Sequence, residues 1–307
     1  MKLPISTAPC CWGVDDVNNP YLPPWREVLA QAAAAGYVGI ELGPYGYLPL
    51  EPGVVGPVLT EHGLHVVAGT IFDNLVDPAN LPALLTQTHA ICALLTQLPT
   101  ARGQPGQRYP GPYLVIIDWG HEVRDYAAGH SEHAPRLSDQ QWTQMISHIR
   151  QIAELAWQAY GVRAVIHPHA GGYIEFADEL ARLVADIPYE VAGLCLDTGH
   201  LYYAGMDPVT TVRHYAERLD YLHFKDIDTK VFDQVLGERI TFFAACARGV
   251  MCPIGRGVID YRQLHELLGE LRYQGFITVE QERDPRNAGS SFADVSASRT
   301  YLAHAGF

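Results

Sequence analysis

Eight short, apolar, strand-like runs recur along this 307-residue chain, and longer amphipathic stretches fill the intervals between them. The expected strands are 5–10, 38–42, 64–70, 112–119, 162–169, 192–197, 220–224 and 275–281. The expected helices are 25–35, 53–62, 81–98, 138–160, 176–185, 208–218, 260–273 and 291–303, with Ser138 as an N-cap and Asp139 in the first turn behind it. Near-continuous apolar strands alternating with helices imply a parallel sheet covered by helices on its outer face. Eight such units predict a closed α/β architecture, a single (β/α)8 TIM barrel spanning 1–307. The alternative, a doubly wound sheet, calls for a glycine-rich phosphate loop after the first strand. The stretch there, APCCWGVDD, is not one.

Charge and cysteine usage narrow the function classes. Twenty-one Lys and Arg against 34 Asp and Glu give a formal net charge of −13, with lysine at positions 2, 225 and 230 alone. Such a chain repels phosphate backbones, so nucleic acid is not an expected partner, and a small polyol or keto-sugar is. No apolar run approaches the roughly 18 residues that span a bilayer. No signal-peptide pattern is read at MKLPISTAPCCWGVDD, so no membrane association is expected. Six cysteines without CxxC spacing point to reduced thiols in the cytoplasm.

In a (β/α)8 barrel the chemistry gathers at the C-terminal ends of the strands. The polar residues there are Glu41 after strand two, Asp118 and Trp119 after strand four, and His167 and His169 after strand five with Glu175 beyond them. Asp197 and His200 follow strand six, His223 and Lys225 strand seven, and Glu280, Glu282 and Arg283 strand eight. Histidine, aspartate, histidine and glutamate from four consecutive strands form a mixed N/O donor set. Such a set suits Mn²⁺ or Co²⁺, with Zn²⁺ a further candidate. Any one of these residues has an ordinary structural reading. Asp197 in LCLDTGH, for example, could cap the next helix rather than face an ion. The segment between strands seven and eight, 226–258, carries TFFAACARGVM, too apolar for a solvated loop and expected to be buried against this chain or a neighbour. Oligomerisation stays open.

The motifs DTGH at 197–200, YLHFKD at 221–226 and VEQE at 279–282 resemble the xylose-isomerase-like barrel superfamily of sugar isomerases, epimerases, dehydratases and apurinic endonucleases. HPHAGGYIE at 167–175 replaces the strand-five glutamate of the epimerases. Together with IELGPYGYLP, LDTGHLYYAGMDP and GERITFFAACARGVMCPIGRGVIDY, it is similar to the inosose dehydratase branch. That resemblance implies metal ligation by Asp197, His223, Glu280 and either His167 or His169. It implies a substrate-facing His200 as acid or base, with Glu175 as a second base candidate and Lys225 holding a hydroxyl or enolate. Glu41, Trp119 and Arg283 are expected substrate contacts. The implied reaction is metal-dependent dehydration of a keto-cyclitol such as 2-keto-myo-inositol, with ketose isomerisation or epimerisation as the alternative. An endonuclease would need a basic face that this chain lacks, and a non-catalytic sugar-binding barrel would not need the strand-end donors together.

Overall fold

The computed structural model describes residues 3–307. Eight parallel strands close into a barrel: β1 (Ile5–Thr7), β2 (Gly39–Glu41), β3 (His65–Asp73), β4 (Tyr113–Asp118), β5 (Arg163–Ile166), β6 (Gly193–Asp197), β7 (Leu219–Phe224) and β10 (Ile277–Val279). Between the last two, β8 (Asp226–Ile227) and β9 (Met251–Cys252) form a two-stranded antiparallel ribbon outside the barrel wall.

The strands alternate with period two, and that alternation sorts the core. On β4, Leu114 and Ile116 pack outward with Leu194, Leu196 and Leu222 against the helices. Tyr113, Val115 and Ile117 point inward with Val165, Cys195 and Tyr221. Extending the inward parity past each strand end reaches His167 and His169, Asp197, His223 and Lys225, and Glu280 and Glu282. Ladder register then aligns neighbours: Asp197 pairs with His223, and His223 with Thr278, two residues before Glu280.

Local rules set the helices. Ser138 opens the helix Asp139–Tyr160 with a capping box, its hydroxyl accepting from Gln141 N at 3.3 Å, and Gly161 in the left-handed region closes it. The helix expected at 208–218 ends at His214 and passes into a 3-10 turn at Ala216–Arg218. Several expected strands are shorter than the apolar runs, because the last residues of those runs lie beyond the ladder at the barrel mouth. Further helices lie outside the expected set. Thr198–Tyr203 is one. The 226–258 segment folds into helices Thr229–Glu238 and Phe242–Ala247. Its apolar stretch is buried within the same chain, where Phe242, Ala245, Cys246, Val250 and Met251 pack against Ala128, Ala170 and Tyr203. All six cysteines are buried and unpaired. No helix among the described residues is long and apolar enough to cross a membrane.

Candidate metal centre and active site

Asp197 is both a cap and a cluster member. Its Oδ1 accepts from Gly199 N at 2.8 Å and His200 N at 2.9 Å, starting the short helix that follows. Its Oδ2 turns to the barrel axis, 3.6 Å from His167 Nε2 and 3.8 Å from His223 Nδ1. His167, Asp197, His223 and Glu280 each offer one ligand atom, all within 4.8 Å of one another. His223 Nδ1 lies 2.8 Å from Glu280 Oε2, yet it makes no hydrogen bond there. Two nitrogens and two carboxylate oxygens aimed at a common point, rather than bonded to each other, fit a divalent ion of the Mn²⁺, Co²⁺ or Zn²⁺ type.

Glu41 fixes the orientation of His223. Its Oε1 accepts from His223 Nε2 at 2.8 Å and from the Tyr221 hydroxyl at 2.6 Å. With Nε2 donating to Glu41, the neutral ring presents the Nδ1 lone pair, the outer carboxylate arrangement that sets up a metal-ligating imidazole. Lys225 is wholly buried. Its Nζ contacts Asp197 Oδ2 at 2.8 Å and Glu282 Oε1 at 3.0 Å, and it also pairs with Glu280. Burial opposes the charge on Asp197, but the Lys225 ammonium beside it holds its carboxyl far below the usual carboxylate range. Burial pushes Glu282 up to about 7.

His169 does not join the four-residue cluster. It groups with His200 and Glu282. Its Nδ1 faces the Ala170 carbonyl at 2.9 Å; a carbonyl cannot donate, so Nδ1 carries the proton and Nε2 is an acceptor. His200 is the opposite tautomer. Its Nδ1 accepts from Ala170 N at 3.0 Å, so in the neutral ring Nε2 carries the proton, and that atom has no partner. Burial keeps both rings well below the ordinary histidine range, hence neutral.

A cavity of about 230 Å³ opens over these groups, lined among others by Asp15, Glu41, His167, His169, His223, Lys225, Glu280 and Glu282. His200 does not line it. The His200 ring is packed between His169 (centroids 3.9 Å) and Phe242 (5.0 Å). Glu175 does not line it either. Its carboxylate accepts from Gly129 N at 2.7 Å and Gly171 N at 2.9 Å and faces Arg124, and burial pushes it up to about 8 against those contacts. Trp119 and Arg283 line a second, outer cavity instead. Glu282, expected at the mouth but given no role, and Asp15, not expected there, also line the cavity. The signal for Glu282 was in VEQE, where it stands two after Glu280 and so shares its face.

A model of the xylose isomerase-like TIM barrel family matches residues 29–299. An inosose dehydratase from Geobacillus kaustophilus is 28% identical over 286 residues, covering 92% of this chain and 88% of that protein. Among solved structures, a probable 3-DHS dehydratase from Bacillus anthracis superposes with a TM-score of 0.69 at 16% identity, covering 99% of both chains. An L-ribulose 3-epimerase gives 0.69 at 16% identity, covering 99% of this chain and 94% of that one. With eight parallel strands closed into a barrel and a family match running through nearly all of them, this chain belongs to the xylose isomerase-like TIM barrel family.

Proposed function

We propose that residues 1–307 act as one catalytic barrel, a cytoplasmic metal-dependent carbon–oxygen lyase that dehydrates a keto-cyclitol such as 2-keto-myo-inositol. The observation that carries this reading is the cavity floor. There a His₂-carboxylate₂ donor cluster adjoins a buried ammonium and two groups suited to moving protons, His169 and Glu282. The inosose dehydratase relative supports the substrate class. Six unpaired cysteines support a reducing compartment.

His167, Asp197, His223 and Glu280 would hold the ion, Mn²⁺ or Co²⁺ by donor type and Zn²⁺ next. Bound there, the ion supplies Lewis-acid polarisation of the keto oxygen. His169 Nε2, the unprotonated nitrogen of a ring that lines the cavity, takes the proton from the carbon next to the ketone. Lys225, its Nζ held by three carboxylates, places a positive charge near the oxygen on which negative charge develops. Glu282, near neutrality in its burial, protonates the departing hydroxyl at the β carbon, and water leaves as the double bond forms. Each proton transfer contributes on the order of 10²–10⁴-fold. His200 backs His169 with a tilted ring 3.9 Å away and is a positioning residue in this scheme, replacing its expected place in direct contact with substrate.

The alternative is a ketose isomerase or epimerase, which shares the proton abstraction and returns the proton to carbon instead of expelling water. The barrel's likeness to an L-ribulose 3-epimerase keeps it in view. Incubation of the Mn²⁺-loaded protein with 2-keto-myo-inositol separates the two. An ultraviolet-absorbing enedione marks dehydration. Solvent deuterium entering the substrate without that product would shift the reading to the isomerase.

A further inference from the structure

The catalytic cavity does not end at its own mouth. A second chamber of about 770 Å³ lies outside it, and Asp15, Phe72 and Phe243 line both. The inner space, about 230 Å³, is below the roughly 300–1,000 Å³ of ordinary small-molecule sites and suits one small ring. The outer one is large enough for another ring and is furnished for it. Trp119 stacks on Phe72 with centroids 5.1 Å apart and planes at 17°, and Phe243 meets Trp119 edge-on at 5.2 Å. These rings offer apolar faces of the kind that pack against sugar C–H bonds. Asn18, Asn19 and Tyr21 line it as well.

Arg283 carries the polar half of the argument. It is 8% exposed, and Nη1 is used on Ser290 Oγ and Asp294 Oδ2, both at 3.0 Å. Nε and Nη2 are buried without a partner among the described residues, although the side chain lines the chamber. A buried guanidinium nitrogen without an acceptor costs on the order of 1–3 kcal/mol, so donors left in this state beside a cavity mark a place for ligand oxygens. The chamber is also preformed. Gly13 sits at φ +78°, and a Cβ there would lie 2.4 Å from Pro285 Cα, so the loop after β1 and the loop after β10 are packed backbone to backbone.

We propose that the outer chamber is a second-ring subsite: the reacting keto-cyclitol or keto-sugar enters the inner cavity carrying a hydroxylated glycosyl substituent, which rests on the Phe72–Trp119–Phe243 wall and accepts hydrogen bonds from Arg283. This deepens the dehydratase reading and rests on it for the identity of the inner ring. The occupant is a two-ring polyol. An inorganic anion fits less well, because Asp15, Asp16 and Asp284 also line the chamber.

Calorimetry on the Mn²⁺-loaded protein compares myo-inositol with galactosyl-myo-inositol, neither of which has a ketone to react. The two-ring ligand is expected to bind about tenfold tighter or better, a difference of about 1.4 kcal/mol. In Arg283→Met and in Tyr21→Ala, the latter on a side chain 60% exposed and safe for folding, the ratio should fall to about threefold or less. Equal affinities in the wild type, or a ratio that neither variant moves, would overturn the subsite and leave the chamber an entrance funnel. Turnover of 2-keto-myo-inositol is read separately. A two-ring preference without dehydration sinks the dehydratase reading and keeps the subsite; dehydration without the preference does the reverse.

Discussion

The two ends of the barrel each bury a cluster of charges, and the clusters are built differently. At the N-terminal end, Arg163 and Asp220 are 2% and 3% exposed in their side chains and satisfy each other. Arg163 Nε donates to Asp220 Oδ2 at 2.8 Å, Nη1 donates to Glu190 O at 3.2 Å, and Nη2 donates to Tyr189 O. At the C-terminal end, His167 Nδ1, His200 Nε2, His223 Nδ1 and Glu282 Oε2 are buried without partners among the described residues. Buried polar atoms are normally paired, and leaving one unpaired is costly. The Arg163–Asp220 pair is therefore complete in itself, whereas the upper cluster is arranged for partners the polypeptide does not supply.

Substitutions at either end should have distinct consequences. The largest effect is expected from His169→Gln, which should lower kcat on 2-keto-myo-inositol by about 10²–10⁴-fold with the fold intact by circular dichroism. A loss under tenfold would remove His169 from proton transfer. Asp220→Asn leaves Arg163 buried and unpaired, so urea unfolding should show a loss of about 3–5 kcal/mol. Its metal affinity should not change, and if it did, the two ends would not be independent. Glu41→Gln removes the carboxylate that orients His223 and should weaken metal binding by about 10–100-fold, read by competition with a chelating dye.

The smallest effect is one of pH. Burial, then His169 and Lys225, hold the folded-state pKa of His200 well below its ordinary 6.5. The unfolded chain therefore binds the extra proton first as pH falls through about 6.5, and stability should fall with it. The slope is up to about 1.4 kcal/mol per pH unit for this one group. His200→Gln should flatten that part of the curve. A stability curve identical in wild type and variant from pH 7 to pH 5 would mean that His200 is not held neutral.

The barrel was legible in the sequence because its strands are buried on both faces and read as continuous apolar runs between capped helices. The upper site was legible for a related reason: Asp197, His223 and Glu280 are polar residues at the ends of runs where polarity is otherwise rare. Parity would have gone further. Residues 195, 197, 221, 223, 225, 280 and 282 keep one alternation, which places Glu282 beside Glu280 and separates both from Val279. Sequence spacing did not separate His167 from His169, since both share that inward parity; the Ala170 carbonyl and the ring of His200 draw His169 aside. Nor did it reveal that Glu175 turns toward Arg124 and the amide of Gly129, because those two partners stand 51 and 46 residues upstream. The fate of 226–258 was beyond local reading as well. Its helices are specified by what Phe242 covers, the rings of His169 and His200.

Metal stoichiometry tests the contrast most directly. Wild type, Asp220→Asn and Asp197→Asn would each be stripped with chelator, dialysed against Mn²⁺ and analysed by elemental mass spectrometry. One ion per chain in the first two and none in Asp197→Asn is the predicted result. A wild type that retains no ion, or an Asp197→Asn protein that holds it as well, would contradict the reading of the upper cluster as a metal centre.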